Sequence, residues 1–444
     1  MLRRNFLSRM GLALAGSVIG TSIGNAADAA DAAAEGNKAA LMPDNINAGD
    51  WTALRQLFPL TDDYIHLSTF LLASHPKPVA DEIERHRKGL DANPSDYWHK
   101  HFETIDGKIS AAAASYMGGE AEQIALTDST TMGLSLVYSG LKLRPNDEVV
   151  QTVHDHYSTD LSLKLRAERT GANVRRITLY DTPATVTSLQ VIDNLAKAIN
   201  QKTKVVAVTW VHSSTGVKLP IRAMADVIAK ANSSRSEADK ILFCVDGVHG
   251  FGIEDVDVST LGCDFFIAGT HKWIFGPRGT GIIWGSKRGW NNCSAVIPSF
   301  SLSYDVWLGN STQAQVPMGE HMSPGGFHSF EHRWALPAAF ELHMRLGKAN
   351  VQQRIHQLNT QTKQGLAKMS HVTLYTPMAT ELSSGLVCFD VDGLSPQQVV
   401  EHMHTKGIIM SSTPYRDSYA RFAPSLINNE AEIDKALSEI QALA

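Results

Sequence analysis

The chain has 444 residues, enough for two or three domains of ordinary size. Its hydrophobic content of 43% and charged content of 19% are those of a globular protein rather than a disordered one. The formal net charge of -5 gives no reason to expect nucleic acid or an anionic membrane surface as a partner.

The N-terminus carries the pattern of an export signal. Arg3 and Arg4 precede a mildly apolar stretch from Met10 to Gly24, and small residues follow it. This stretch is shorter than the ~20 apolar residues that a membrane span needs, so no span is predicted. The arginine pair resembles a twin-arginine (Tat) signal, with an ordinary Sec signal as the alternative. We therefore predict a signal peptide and tail over residues 1–34 and a periplasmic location.

Between about residues 120 and 290, short β-branched runs alternate with helical stretches. Strands that are apolar throughout and separated by helices indicate an α/β fold with a mostly parallel sheet. Ligands in such folds bind outside the carboxyl ends of the strands. The predicted strands are Glu148–Thr152, Val174–Leu179, Lys204–Val211, Ile241–Val245, Asp264–Ala268 and Gly281–Trp284, and the predicted helices are Thr159–Gly171, Ser188–Gln201 and Ile221–Asn232.

After about residue 295 the pattern of alternating strands and helices ends. A loop rich in aromatic, Gly and Pro residues runs from 299 to 326. The rest predicts a smaller α+β domain, and the segment before residue 75 is expected to pack with it. Its predicted elements are the helices Ala335–Ser370, Pro396–Thr405 and Asn429–Ala442 and the apolar run Gly385–Val391, and the predicted division of the chain is 35–75, 76–310 and 311–444.

A lysine directly follows one predicted strand. Lys272 stands in the segment Gly269 to Trp273, before a Gly-Pro-Arg-Gly-Thr-Gly run that begins at Gly276. Desolvation lowers the pKa of a lysine from ~10.4 and makes its amine nucleophilic. Taken alone, the pattern is also that of a surface lysine in a loop.

Two further clusters follow or precede predicted elements. Asp246 ends a strand, where a buried acid is costly unless it meets a cation such as a protonated pyridine nitrogen. Its ordinary alternative is a structural helix cap.

Ser129, Thr130 and Thr131 precede a helix, and such hydroxyls with free backbone N–H groups form an anion site. Three hydroxyls are more than a cap requires.

The histidines allow a different interpretation of these residues, that of a zinc-binding protein. His156 follows the strand that begins at Glu148, where it could stack on an aromatic ring. It could equally bind zinc together with His154, Asp246 and His249. A zinc site would leave Lys272 and the anion site at Ser129, Thr130 and Thr131 unexplained.

Taken together these residues resemble a known family. The pattern Asp246-x-x-His249, followed by Thr270-His271-Lys272 and the glycine-rich run, resembles the class V aminotransferase group of fold-type I enzymes that use pyridoxal 5'-phosphate (PLP). That group includes cysteine desulfurases and isopenicillin N epimerase-like proteins. The resemblance covers roughly residues 60 to 440. It implies a large domain with a mostly parallel sheet, a smaller C-terminal α+β domain, and a homodimer with the active site at the interface.

The resemblance also implies roles for individual residues. Lys272 would bind PLP as a Schiff base, Asp246 would pair with the pyridinium nitrogen, and His156 would stack on the ring. Arg421 would bind a substrate carboxylate, for which a guanidinium is suited, and Ser68 lies in the turn expected to touch substrate. The other implied cofactor contacts are Ser129, Thr130, Thr131, His249, Thr270, His271 and, from the partner subunit, Gly326.

Departures from the family pattern concern the substrate side. Desulfurases carry a nucleophilic cysteine where this chain has Met410 to Pro414, so desulfuration is not expected. Cys244 and Cys388 lie in apolar runs and are predicted to be buried free thiols.

We predict a PLP-dependent enzyme acting on the amino group of an amino acid or derivative by aminotransferase-type chemistry, with epimerisation as the alternative. Exported members of the family resemble siderophore-tailoring enzymes, which suggests a glutamyl group as substrate.

Overall fold

The computed structural model describes residues 49–444, so the predicted signal peptide at 1–34 lies outside the described residues. Thirteen strands occur in the described chain. They are β1 (Ile65–His66), β2 (Ile124–Thr127), β3 (Glu148–Thr152), β4 (Asn173–Ile177), β5 (Thr203–Thr209), β6 (Leu242–Asp246), β7 (Phe265–Gly269), β8 (Gly281–Gly285), β9 (Val372–Leu374), β10 (Val387–Val391), β11 (Ile408–Ile409), β12 (Ser411–Ser412) and β13 (Ala420–Phe422).

The α-helices of the described chain alternate with the strands in its first half and dominate its second half. They are α1 (Trp51–Gln56), α2 (Lys77–Ala92), α3 (Pro94–Met117), α4 (Thr130–Gly140), α5 (Tyr157–Thr170), α6 (Ser188–Ala198), α7 (Ile221–Asn232), α8 (Lys287–Asn291), α9 (Leu302–Trp307), α10 (Met318–Met322), α11 (Phe330–Trp334), α12 (Leu336–Leu346), α13 (Lys348–Leu366), α14 (Pro396–Thr405) and α15 (Glu430–Gln441).

The large sheet has seven strands in the order β2-β8-β7-β6-β5-β3-β4. The pairs from β7 to β4 are parallel, and β8 is antiparallel to both of its neighbours. Alternate residues of a strand point to opposite faces, so Val205 and Ala207 of β5 pack in one apolar cluster while Val206 and Val208 pack in the other. The predicted α/β fold with a mostly parallel sheet is confirmed.

The predicted elements of this domain agree closely with those in the structure. Glu148–Thr152 and Ile221–Asn232 have the predicted bounds, and the other predicted strands and helices differ by one to three residues at their ends. The predictions missed β2, a strand of four buried residues that pairs with β8 at the edge of the sheet.

The small sheet is antiparallel, with the order β12-β13-β10-β9. Ile65 of β1 pairs with Ile408 of β11, so the N-terminal segment packs with the small domain as predicted. The single helix predicted from Ala335 to Ser370 is wrong, because Gly347 has a φ of 79° and separates α12 from α13. Helix α12 packs against α2 and α3.

Two other predictions concern single residues and helix length. All four cysteines are free and buried, which confirms the prediction for Cys244 and Cys388. Within residues 49–444, no helix combines the length and apolar character that crossing a membrane requires.

Candidate active site

A pocket of about 230 Å³ lies where the parallel strands of the large sheet end. Strand β6 ends at Asp246, and Lys272 follows the end of β7 by three residues. The fold therefore brings together most of the residues that the sequence predicted for a site. Those lining the pocket are Ser129, Thr130, Thr131, His156, Asp246, His249, His271, Lys272 and Arg421.

Lys272 lies in a tight turn after β7. The Phe275 N–H donates to the Lys272 carbonyl at 3.0 Å, and the Gly276 N–H donates to the Thr270 carbonyl at 2.9 Å. Burial lowers the pKa of Lys272 to about 8; the charge of Asp246 opposes this shift and that of Arg421 adds to it. A lysine with this pKa presents a substantial neutral fraction near neutral pH, as a nucleophile for a carbonyl requires.

Asp246 is 2% exposed at the end of β6. Its carboxylate Oδ1 accepts a hydrogen bond from the Val248 N–H at 3.2 Å. Burial raises the pKa of Asp246 to about 7, with opposing contributions from the Val248 hydrogen bond and the charge of Lys272. A buried carboxylate with so little compensation is suited to a bound cationic ring nitrogen.

The N-terminus of α4 faces the same pocket with hydroxyl groups and backbone N–H groups. Ser129 is the N-cap, and its Oγ accepts from the Met132 N–H at 3.1 Å. Thr130 Oγ1 accepts from the Gly269 N–H at 2.7 Å, which fixes α4 against the end of β7. The positive end of this 11-residue helix is an anion site suited to a phosphate.

Two histidines are held in fixed orientations. His156 caps α5, and its Nδ1 accepts from the Ser158 N–H at 3.2 Å. His249 Nδ1 accepts from the Trp273 Nε1–H at 3.3 Å. Burial lowers the pKa of both imidazoles, and the neighbouring charges of Lys272 and Arg421 lower them further. Both rings are therefore neutral at neutral pH.

Arg421 of β13 is the one arginine among the pocket residues. It is 3% exposed, and burial lowers the pKa of its guanidinium from the usual value. Its Nη1 donates to the Ser213 carbonyl at 2.6 Å, and its Nε donates to Ser411 Oγ at 3.2 Å. A buried cation facing a pocket is suited to binding a carboxylate.

Three predicted contacts do not line this pocket. Thr270 is 0% exposed, and its hydroxyl pairs with that of Thr280 at 2.5 Å, so it is not free to bind a phosphate there. Ser68 lies outside the pocket, whose wall instead contains the neighbouring residues Phe70 and Leu71. Gly326, which was predicted to reach the site from the partner subunit, lines a second pocket of about 190 Å³ on its own chain, and that prediction stays open.

Several residues of the pocket were missed by the sequence analysis. Ser158 and Val248 lie within two residues of predicted site residues, whereas the others come from other segments of the chain. Phe70 and Leu71 belong to the same turn as the predicted Ser68. The missed residues are Phe70, Leu71, Ser158, Thr209, Ser213, Val248 and Pro414.

The structure does not assemble the alternative zinc site. His154 stacks on Tyr180 with ring centroids 4.0 Å apart and does not line the pocket with His156. No group of three or more His, Cys, Asp or Glu side chains in the described part of the chain could hold a metal ion. The pocket residues instead fit PLP, since they include an amine, an uncompensated carboxylate and an anion site.

Comparison with known proteins identifies the family. The sequence profile described as Aminotransferase class-V matches residues 73–414. The chain belongs to this family. The resemblance and the PLP cofactor predicted from the sequence are therefore confirmed. The protein is a PLP-dependent enzyme of this family.

Several named proteins are similar to this chain in sequence. A probable cysteine desulfurase from Halalkalibacterium halodurans is 25% identical, over 80% of this chain and 86% of the relative. Isopenicillin N epimerase from Streptomyces clavuligerus is 23% identical, over 89% of this chain and 98% of the relative. The class-V chain is thus similar to proteins with two different reactions.

Solved structures share the fold of the class-V chain. A complex of the cystine C–S lyase C-DES with cysteine persulfide has a TM-score of 0.77 and 21% identity, covering 86% of this chain and 99% of that one. A cysteine desulfurase from Escherichia coli has a TM-score of 0.74 and 20% identity, covering 89% and 99%. At these identities the similarity establishes the large mostly parallel sheet and the small domain.

Proposed function

We propose that this PLP-dependent enzyme acts on the amino group of an amino acid or amino-acid-derived compound, by aminotransferase-type chemistry. The observation that carries the proposal is that Lys272 and Arg421 line one pocket. A lysine that can hold an amine-reactive aldehyde and a guanidinium that can bind a carboxylate, in one pocket, match the two ends of an amino acid.

The chemistry of each pocket residue suggests which part of the cofactor it would bind. Lys272 would supply the amine that anchors the aldehyde, Asp246 would pair with the ring nitrogen, and the N-terminus of α4 would bind the phosphate. When bound, PLP supplies an electron sink for charge that develops at the substrate carbon.

Lys272 is also the residue suited to move the substrate's α-proton. Its pKa of about 8 allows it to accept a proton as the neutral amine and to return it as the ammonium. Arg421 would hold the carboxylate, because hydrogen bonds to Ser213 and Ser411 orient its guanidinium toward the pocket. Proton return to the cofactor side gives transamination.

Desulfuration is not proposed, although several relatives are named cysteine desulfurases. That reaction needs a thiol nucleophile in the pocket, and the four cysteines of this chain are buried and absent from its wall. Epimerisation is the second candidate, favoured by the similarity to isopenicillin N epimerase along 98% of that relative. It requires a second base on the opposite side of the substrate.

We further propose export to the periplasm, a homodimer, and a glutamyl group of a siderophore as substrate. Export is supported by Arg3 and Arg4 with the apolar stretch that follows them. The dimer is supported by Phe300 and Phe327, which are 51% and 83% exposed beside Gly326. The siderophore proposal rests on predicted export and on the carboxylate-binding character of Arg421.

Two experiments test the proposal. Borohydride reduction of the purified yellow protein should fix the mass of the reduced cofactor on the peptide that contains Lys272. Lys272→Ala should abolish the label, whereas Lys204→Ala, at a buried lysine outside the pocket, should retain it. Periplasmic metabolites of cells with and without Lys272→Ala should differ by loss of one NH3 and gain of one oxygen, as an amine becomes a ketone, if transamination occurs. An unchanged mass with altered stereochemistry would replace transamination by epimerisation.

A further inference from the structure

Phe70 occupies an unusual place in the site. It is 2% exposed, yet it contributes to the wall of the pocket that contains Lys272 and Arg421. It belongs to the N-terminal segment and lies two residues from Ser68, in the turn expected to touch substrate. A buried aromatic ring in that turn can serve the site by packing and through its electron-rich face.

The ring covers one face of Arg421. The Arg421 Cζ lies 4.5 Å from the centroid of the Phe70 ring, within the range of a cation–π contact. Along its edge the guanidinium is fixed by the Ser213 carbonyl and Ser411 Oγ. Arg421 Nη2 has no hydrogen-bond partner among residues 49–444, so the face and one edge of the guanidinium are occupied while this nitrogen is left for a ligand.

Phe70 is itself held by the cofactor side of the site. Its ring stacks on Trp273 with centroids 6.0 Å apart and meets His249 edge-on at 5.4 Å. The Lys272 Nζ lies 5.8 Å from the same centroid. The ring therefore joins Arg421 of the small domain to the turn that carries Lys272.

We infer that Phe70 is a positioning residue, which holds the Arg421 guanidinium by cation–π attraction in the plane that receives the substrate's carboxylate. This inference deepens the proposed function and rests on its assignment of Arg421. The attraction requires the electron-rich face of an aromatic ring, because an aliphatic side chain of similar volume fills the space without attracting the cation.

The test measures carboxylate binding rather than turnover. Glutarate, which has two carboxylates and no amine, is titrated into the PLP-loaded protein by calorimetry. Phe70→Leu should weaken glutarate binding by about 10-fold, while Phe70→Trp should retain most of it. Replacing Phe70 by mono-, di- and trifluorophenylalanine should weaken binding in steps, since fluorine removes the ring quadrupole with little change in shape.

Phe340→Leu is the matched control. Phe340 is 0% exposed and lies in α12, away from the pocket wall, so it reports the effect of losing a buried phenyl ring alone. Equal glutarate affinity in wild type and Phe70→Leu, or an equal loss in Phe340→Leu, would overturn the inference. If wild type binds no glutarate while borohydride still labels Lys272, the inference fails and the cofactor part of the proposed function stands.

Discussion

At the scale of single residues, the carboxylate of Asp246 is costly without a partner. Burial raises its pKa from 3.8 to about 7 in the folded chain. The folded chain therefore holds a proton that the unfolded chain releases between these values. The stability that the neutral acid provides is fully present below the unfolded pKa and is lost as the pH rises through about 7.

Asp246→Asn should reveal this cost in cofactor-free protein. The variant should be more stable than wild type at pH 8, by up to about 4 kcal/mol at about 1.4 kcal/mol per unit of pKa shift. At pH 4 the two proteins should be nearly equal in stability. Urea denaturation at both pH values measures the difference. A stability gain of the same size at both pH values would show that packing, not ionisation, is responsible.

The pKa of Lys272 depends on burial first and on its charged neighbours second. Asp246 raises this pKa, and the positive charge of Arg421 lowers it. Arg421→Gln should therefore raise the pKa of Lys272 and shift the pH profile of its acetylation in cofactor-free protein to higher pH. Mass spectrometry of the Lys272 peptide measures this profile. Arg333→Gln, at a buried arginine that lines the other pocket, should leave it unchanged.

At the scale of elements, the N-terminus of α4 combines a structural cap with an anion site. Ser129→Ala removes the hydroxyl that accepts from the Met132 N–H, which should lower the free energy of unfolding by about 1 kcal/mol. It should also weaken PLP binding, measured by fluorescence titration. Ser395→Ala removes an equivalent cap from α14. It should cost similar stability and leave PLP affinity unchanged; an equal loss of affinity in both variants would contradict a local role for Ser129.

The spacing of apolar residues and the residues that begin and end helices and strands made most elements predictable. Ile221–Asn232 and Pro396–Thr405 have the predicted bounds because their apolar positions and flanking residues agree with the packing. The break at Gly347 was missed because α12 and α13 continue one helical pattern on both sides of it. Strand β2 was missed because four residues are too few to display a period.

The site was predictable where chemistry and position coincide. Asp246 ends an apolar strand and Lys272 closely follows another, and together with the family motif this placement indicated the cofactor site. Phe70 and Ser213 were missed as site residues because they reach the pocket through tertiary contacts between segments far apart in the chain. Thr270 was assigned to the cofactor from its place in the motif, whereas its hydroxyl pairs with Thr280.

At the scale of the whole molecule, a buried charged cluster joins the two domains beneath the site. Glu254 is 7% exposed and accepts from Lys218 Nζ at 2.6 Å, on the large-domain side. From the other side it contacts His356 Nε2 at 2.9 Å and accepts from Ser384 Oγ at 2.6 Å. Because Arg421 belongs to the small sheet and Lys272 to the large domain, the distance between them depends on such contacts.

Glu254→Gln should uncouple this cluster. It leaves the buried ammonium of Lys218 without its counter-charge, which should lower the free energy of unfolding by about 3 kcal/mol in urea denaturation. Lys218→Met combined with Glu254→Gln should recover much of that loss, because the unpaired charge is then absent. Asp226→Asn breaks the exposed pair with Arg222 and should cost at most about 1 kcal/mol. If the double variant is no more stable than Glu254→Gln alone, Lys218 and Glu254 are not energetically coupled.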